Sequence, residues 1–398
     1  MQTVVLAAGE GTRMRPLTST RPKPMLPVAG KPLLARVLDS AAAAGADRFV
    51  IVVGYEAAAV REYFGDTYAG VPIEYAIQDE QAGTAHAVRM ARPHLDSAPF
   101  AVINGDGMYD TQSLTDLYSG GPALAAYEVD NPSAYGVLDI QDGAVQGVIE
   151  KPADPPSRMI NAGAYVFPAA ALELLDVEPS ERGEEELTDV LAAVCASHEV
   201  RAVAVDRWLD VGRPWELLAA NEWQLETTER RLEGTVHESA VIEGAVTVEA
   251  GATVRNGVTI EGPVVIQSGA EVGPGAYIRG ATTIGQGVEV GHSVEIKNSV
   301  LMDHTHVAHL SYVGDSVIGR HVNFGAGTNV ANLRHDDEPV SVMVKGERVS
   351  TGRRKFGVIV GDGAKTGINV SLNTGVSLPT DARIPPGETV LRDPDSGA

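Results

Sequence analysis

The sequence predicts two architectures in one chain: an α/β, doubly wound, mostly parallel sheet over residues 1–230, then a three-sided β-solenoid over residues 235–398. In the first part, apolar runs of strand length alternate with helical patterns. In the second, the aliphatic period changes to six, which neither a helix nor an alternating sheet produces. A length of 398 residues with 44% hydrophobic composition leaves room for two or three domains with ordinary cores.

Taken in order, the expected strands of the first part are Thr3–Ala8, Phe49–Val53, Ile73–Ile77, Phe100–Ile103 and Ala123–Val129. Helical patterns fall at Pro32–Gly45, Thr84–Leu95 and Ser113–Ser119. Tyr135–Ile140, Val145–Glu150 and Met159–Phe167 read as shorter, partly antiparallel strands that could wall a ligand site. Pro214–Leu232 reads as one long helix ending near Gly234, a natural domain boundary.

Beyond it, Val236, Ile242, Val248, Val254, Ile260, Ile266, Val272, Ile278, Ile284, Val290, Ile296 and Met302 stand six apart without a break. Small residues or proline tend to fall three later, as at Gly251, Gly257, Pro263, Gly269, Gly275 and Gly287. A prism explains this, with one inward aliphatic side chain per face and a tight turn at each corner. The pattern resembles the hexapeptide repeat of left-handed parallel β-helices. The register is lost between Asp303 and Val317, returns at Ile318, Phe324 and Val330, and returns again from Val360 to Val390 through Thr366, Leu372, Leu378 and Ile384. His304–Tyr312 and Asn332–Phe356 are therefore expected as surface loops, a class of segment that often carries function.

The net charge is −22, from 53 acidic and 31 basic residues, of which only 7 are lysine. So acidic a chain disfavours nucleic acid, which wants a basic face. With the charges spread along the chain, the composition suggests a halophilic setting where salt screens self-repulsion. No apolar run reaches the ~20 residues of a membrane span, and nothing at the N-terminus reads as a signal peptide. The single cysteine, Cys195, allows no disulfide within the chain, so a cytoplasmic protein without a membrane partner is the expectation.

The densest signal is Thr3–Pro32. An apolar strand empties into Ala8-Gly9-Glu10-Gly11-Thr12-Arg13, followed by Arg15, Arg21 and Lys23 among the prolines Pro16, Pro22, Pro24 and Pro27. A buried strand ending in glycines brings backbone N–H groups to a phosphate, and the cations beyond neutralise its oxygens. There is no third glycine in dinucleotide register and no Gly-Lys-Ser/Thr of a P-loop. The run Leu6-Ala7-Ala8-Gly9-x-Gly11-Thr12-Arg13-Met14-x-Pro16-Leu17, with Arg21-Pro22-Lys23-Pro24 after it, resembles the signature of sugar-1-phosphate nucleotidyltransferases.

That resemblance implies nucleotidyl transfer: a sugar phosphate attacks the α-phosphorus of a nucleoside triphosphate and expels pyrophosphate. The nucleophile is already anionic, so the site needs charge neutralisation and in-line positioning, with Mg²⁺ on hard carboxylates. It further implies Arg13 on the leaving pyrophosphate, Lys23 on phosphates near the reacting centre, and Leu6, Ala8, Gly9, Gly11 and Thr12 around the nucleotide. Asp106, after the strand Phe100–Ile103, and Asp210 in Trp208-Leu209-Asp210-Val211-Gly212 match its metal ligands, although an aspartate in either setting also caps helices. Gln78, Gln81, Gly83 and Thr84 match its pyrimidine-reading segment, where an amide suits a uracil or thymine edge. Gly136, Glu150, Lys151, Asn161 and Gly163 match its sugar-phosphate segment.

In the solenoid, the stretch from Arg279 to Asn332 resembles the acetyltransferase half of bifunctional glucosamine-1-phosphate acetyltransferase/N-acetylglucosamine-1-phosphate uridyltransferases. The resemblance implies Arg279 and Lys297 as a sugar-phosphate clamp, and acetyl-CoA as co-substrate. It also implies His309, in His309-Leu310-Ser311-Tyr312-Val313-Gly314-Asp315, as the base that deprotonates the amine; imidazole suits that task near neutral pH. Tyr312 and Asn332 would position sugar and thioester, and Asn323 the amino sugar. His304, His306 and His309 lie close enough in sequence to raise a metal site, but no cysteine or carboxylate stands at matching spacing. Leu333 replaces the tyrosine that follows the asparagine in bacterial members, and Arg334–Thr351 is an extension those members lack. The cluster Arg353-Arg354-Lys355 could grip the anionic end of coenzyme A or stand as a solvated turn. Expected partners are UTP or dTTP, a sugar-1-phosphate and acetyl-CoA, in a homotrimer or a multiple of trimers. The alternative is a single-activity glucose-1-phosphate thymidylyl- or uridylyltransferase whose solenoid only assembles it; the base, the sugar and the order of reactions stay open.

Overall fold

The computed structural model describes residues 1–180 and 183–394. The chain divides into two compact units: Met1–Glu10, Pro22–Met25 and Leu33–Asp210 form the first, and Gly11–Arg21, Leu26–Pro32 and Val211–Ala398 the second.

The first unit is built on strands β1 (Gln2–Ala7), β2 (Arg48–Val53), β3 (Thr67–Tyr68), β4 (Val71–Ile77), β5 (Phe100–Asn104), β6 (Gly107–Tyr109), β7 (Ala123–Glu128), β8 (Gly136–Gln141), β9 (Ala144–Glu150), β10 (Met159–Phe167), β11 (Arg201–Ala204) and β12 (Trp208–Asp210). Ten of these form one sheet in the order β8-β9-β11-β7-β10-β5-β1-β2-β4-β3, and β6 pairs with β12 apart from it. β5, β1, β2 and β4 run parallel, so their carboxyl ends lie side by side. Helices α1 (Leu33–Ala43), α2 (Ala57–Phe64), α3 (Thr84–Ala91), α4 (Thr111–Tyr118) and α5 (Leu187–Cys195) complete the unit. The central strands are buried on both faces, Val5 and Ile51 in one core cluster and Val4 and Val50 in the other. That is why they read as continuous rather than alternating apolar runs. Met159–Phe167 forms with the expected bounds and pairs antiparallel, but with β5 and β7 in mid-sheet rather than at an edge.

The second unit is a left-handed parallel β-helix of three eight-stranded sheets. Val246 pairs with Val264 and that with Thr282, so each rung takes three hexapeptides. Val254, Ile260, Ile266, Val272, Ile278, Ile284, Val290 and Ile296 stack inside at 2% exposure or less. Two expectations change here. The helix α6 stops early, at Pro214–Leu225, and Arg231–Leu232 already form a strand against Thr247 and Val248. Nor is His304–Tyr312 an irregular loop. Thr283 pairs with Val300 and Val300 with Val317, so each of these rungs is one residue short. The inward residue is therefore Leu301 rather than Met302, and the core continues through Val307, Val313, Ile318, Phe324 and Val330. A shortened corner shifts the period by one without opening the coil. Asn332–Phe356 is a true excursion: Val317 next pairs with Ile359, and the hairpin Ser341–Val344/Glu347–Ser350 fills the interval.

Candidate active sites

In the first unit, the ends of four parallel strands converge through backbone contact. The Ala8 carbonyl, just past β1, accepts from Gln81 Nε2 at 3.2 Å and from Tyr55 N at 3.4 Å. A Cβ on Gly54, past β2, would stand 2.9 Å from the carbonyl oxygens of Ala8 and Gln78. Gly105 N donates to Leu6 O at 2.9 Å, and a Cβ there would meet the same oxygen at 2.7 Å. Gly9 faces open space. Ligands of parallel α/β sheets sit beyond such ends. The expected base-reading segment divides in two. Gln78 is buried, donating to Gly83 O at 3.0 Å with His86 Nδ1 at 3.1 Å, and Thr84 Oγ1 accepts from Leu187 N at 2.9 Å. Gly83 has φ +124, and a Cβ would lie 2.3 Å from Glu185 O. These three shape the loop, while Gln81 is exposed beside the end of β1.

Asp106 stands between β5 and β6, and the β6–β12 ladder sets Asp210 opposite Gly107, the residue after Asp106. Burial drives the Tyr109 hydroxyl well above its ordinary pKa, and the charges of Asp106 and Asp210 push the same way. That hydroxyl donates to Ala162 O at 2.7 Å. Lys23 is only 7% exposed, and its ammonium pairs with Asp106 Oδ2. Asp106 and Asp210 are hard-oxygen donors of the kind Mg²⁺ takes, one beside and one opposite Gly107. Among the described residues, no group of three or more His, Cys, Asp or Glu side chains is placed to hold a metal, His304, His306 and His309 included.

The five expected sugar-phosphate residues lie on or just beyond three strands of one sheet, β8, β9 and β10. Gly136 pairs with Glu150, and a Cβ on it would stand 3.1 Å from Glu150 Oε2 and 3.8 Å from Asn161 Cβ. Lys151 Nζ lies 3.4 Å from Glu150 Oε1. Asn161 Oδ1 accepts from Gly163 N at 2.9 Å and its Nδ2 donates to the Tyr165 hydroxyl at 2.7 Å, which pins the register shift in β10. Gly163, at φ +77, would drive a Cβ to 2.2 Å from Asn104 Nδ2, so β10 closes on the end of β5 only as glycine. Asn104 and the cluster of Tyr127, Trp208 and Tyr135, with ring centroids 5.5 and 5.8 Å from the indole, were not anticipated from sequence. Trp208 stands two residues before Asp210 on β12, and strand alternation sends both to one face.

In the second unit, Gly11, at φ +65, opens the turn Thr12–Met14, and Thr18 Oγ1 donates to Gly11 O at 2.9 Å. The segment is anchored at Asp362, which sequence reading passed over. Arg21 NH2 reaches its two carboxylate oxygens at 2.9 and 3.1 Å, Thr20 Oγ1 donates at 2.6 Å and Arg320 N at 2.8 Å. Burial pushes the Asp362 carboxyl up, but the Arg21 charge and these donors outweigh it and hold the pKa below 3.8. Asp362→Ala leaves a guanidinium of 8% exposure without its partner, so a loss of about 3–5 kcal/mol is expected in denaturant unfolding. Because the folded pKa is depressed, this contribution is full above 3.8 and fades as the pH falls through the lower folded value. The stability gap to Asp362→Asn is therefore expected to narrow in that acid range; a gap independent of pH there would rule the pairing out as its source.

The acetyltransferase candidates form a ladder. Arg279 pairs in register with Lys297 on the next rung, and Tyr312 with Glu295. Arg279 Nε donates to Glu295 Oε1 at 2.8 Å. Lys297 Nζ donates to Asp315 Oδ2 at 2.8 Å, and Asn332 Nδ2 donates to the same carboxylate at 2.5 Å and to the Tyr312 hydroxyl at 3.0 Å. Asp315, 3% exposed, is thus the buried hub that fixes Lys297, Tyr312 and Asn332. His309 is exposed at the corner between His306–Val307 and Tyr312–Gly314, lining a cavity of about 340 Å³ with His292, His306, Glu271 and Glu289. His306 Nε2 lies 3.2 Å from Glu289 Oε1, and His304 stacks on His321 instead. Asn323 pairs with His306, which puts it on a different sheet of the prism from Tyr312 and Lys297. Lys355 is exposed and bridges to Leu333, whereas Arg353 pairs with Glu222 of α6.

The nucleotidyl transferase family model matches residues 2–227, and a GMPPB C-terminal domain model matches residues 260–381. The "Bifunctional protein GlmU" of Methanococcus vannielii is 42% identical over 405 aligned positions, 99% of this chain and 95% of the relative. The "Bifunctional sugar-1-phosphate nucleotidylyltransferase/acetyltransferase" of Sulfurisphaera tokodaii is 38% identical, covering 99% and 98%. A solved UDP-glucose pyrophosphorylase in complex with UDP-glucose aligns at TM-score 0.51 and 25% identity over 56% of this chain and 98% of its own. With such relatives spanning nearly every residue of both units, the chain belongs to the family of bifunctional sugar-1-phosphate nucleotidylyltransferase/acetyltransferases.

Proposed function

We propose that this enzyme makes UDP-N-acetylglucosamine in two steps: acetyl transfer from acetyl-CoA to glucosamine-1-phosphate, then uridylyl transfer from UTP with release of pyrophosphate. The observation that carries the acetyl half is the Arg279–Lys297 register pair beside the Tyr312–Asn332–Asp315 network, a half-buried polar construction around one buried carboxylate that a purely structural solenoid does not need. Arg279 and Lys297 hold the sugar phosphate, and His309 takes the proton as the amine nitrogen attacks the thioester carbonyl. Coenzyme A departs as the thiol. Asn323 stands on another sheet of the prism, and in a homotrimer a second copy would bring such a face beside the Arg279–Lys297 face, which is the assembly this reading favours.

For uridylyl transfer, Lys23 and Arg13 neutralise the phosphates and Gln81 meets the pyrimidine. Gly136, Glu150, Lys151, Asn161 and Gly163 orient the sugar phosphate in line with the α-phosphorus. Mg²⁺, held by Asp106 and Asp210, would add charge neutralisation across the phosphates.

The test is one set of assays on the purified chain. With acetyl-CoA and glucosamine-1-phosphate, free thiol is expected; with UTP and N-acetylglucosamine-1-phosphate, pyrophosphate. Pyrophosphate without thiol would return the chain to the single-activity reading. A preference for dTTP, or for a galactosamine or glucose phosphate, would correct the substrate.

A further inference from the structure

Arg13, Arg15 and Lys345 line one cavity of about 370 Å³ together with Thr12, Met343 and Val344. Lys345 comes from the excursion that interrupts the β-helix. It sits at the tip of the hairpin Ser341–Ser350, where Val344 pairs with Glu347 and both turn residues have positive φ, 50° at Lys345 and 85° at Gly346. A two-residue turn of this hand matches strand twist and gives a defined tip. The base is also fixed, since Val340 and Val342 are each 1% exposed and Arg348 NH2 donates to Ser341 O at 3.1 Å.

The opposite wall is equally set. Met14 is fully buried, Thr18 holds Gly11, and Thr20 and Arg21 are anchored on Asp362. Among the described residues, neither Arg13 nor Lys345 has a carboxylate within ion-pairing distance. The chain carries 53 acidic side chains against 31 basic ones. In so acidic a protein, two cations that line one cavity, neither ion-paired to a carboxylate, call for an anionic ligand.

We propose that Lys345 is a further binding residue for the polyphosphate of the nucleotide: with Arg13 it holds the β- and γ-phosphates of the triphosphate and the pyrophosphate they become. The proposal rests on the nucleotidyl-transfer reading, through the role that reading gives Arg13. It deepens that reading by assigning to the hairpin excursion of the β-helix a share in binding the leaving group.

Titrating inorganic pyrophosphate into the full-length protein by calorimetry tests it, with Lys345→Ala and Lys345→Arg beside wild type. Lys345→Ala is expected to weaken pyrophosphate about ten- to a hundredfold, the range for one charge-assisted contact. The KM for UTP should rise with it, and Lys345→Arg should restore most of the affinity. Affinity for UDP-N-acetylglucosamine, which lacks the β- and γ-phosphates of the triphosphate, should not change. Unchanged pyrophosphate affinity in Lys345→Ala overturns the proposal. So does an equal loss for the UDP-sugar, which would mark a general structural effect, or a loss for coenzyme A alone, which would give the cavity to the acyl donor. A wild type that binds pyrophosphate through Lys345 yet transfers no nucleotide defeats the nucleotidyl reading and leaves this site standing.

Discussion

Asp106→Ala is expected to lower pyrophosphate release at least ~10²–10³-fold, the scale on which losing one preorganised charge-stabilising group slows an acyl or phosphoryl transfer. The side chain is placed at the meeting of two structural devices: it follows the carboxyl end of β5, and the β6–β12 ladder brings Asp210 alongside. Its removal also strips Lys23 of the carboxylate it pairs with, and a lysine of 7% exposure does not tolerate that cheaply. Asp106→Asn separates the two effects, because it keeps a polar acceptor near Lys23 while removing the negative charge a divalent cation requires. Both variants should release thiol from acetyl-CoA at the wild-type rate, since Arg279, Lys297, Tyr312 and Asn332 belong to the other unit. Full-rate pyrophosphate release from either variant would remove Asp106 from the metal site.

What the sequence made legible follows from how each feature is encoded. The β-helix is written redundantly: every rung repeats the same demand for one inward aliphatic, so Val254 through Ile296 declare the period many times over. The shortened rungs broke that reading because a single missing corner residue displaces every later position, which is how Met302 stood in for Leu301. The strand ends were legible for a related reason. Gly105 and Gly163 occupy places where a Cβ would strike Leu6 O or Asn104, so steric necessity leaves a mark in the sequence. Long-range polar contacts leave none. Arg21 and Asp362 are 341 residues apart, and a Gly-Asp-Gly triplet reads locally as a turn. The same blindness hid the central place of Asp315: it was visible within the His309–Asp315 motif, but its burial under Lys297, Asn298 and Asn332 exists only once three rungs are stacked. Nor does anything local to Gly11–Arg21 announce that the segment belongs to the second unit while its neighbour Lys23 belongs to the first.

His309→Ala is expected to cut thiol release ~10²–10⁴-fold, the usual contribution of a positioned general base, while pyrophosphate release from UTP and N-acetylglucosamine-1-phosphate stays at the wild-type level. His309 is the sharpest probe of the acetyl half because its side chain is exposed and its structural tie runs through the backbone, Gly327 N donating to His309 O at 3.0 Å. Truncating the imidazole therefore opens no cavity and breaks no side-chain hydrogen bond of the ladder. The neighbouring candidates are less clean. Lys297→Ala uncovers Asp315, whose carboxylate is 4% exposed, and Tyr312→Phe removes the hydroxyl that accepts from Asn332, so each mixes a loss of function with a loss of structure. Measuring all three together separates those causes: a thermal unfolding midpoint that falls for Lys297→Ala but not for His309→Ala, with thiol release lost in both, fits a base at His309 supported by a structural hub at Asp315. Thiol release that survives His309→Ala at near the wild-type rate would show that the proton leaves by another route, and the exposed corner between His306–Val307 and Tyr312–Gly314 would then be a turn of the coil and nothing more.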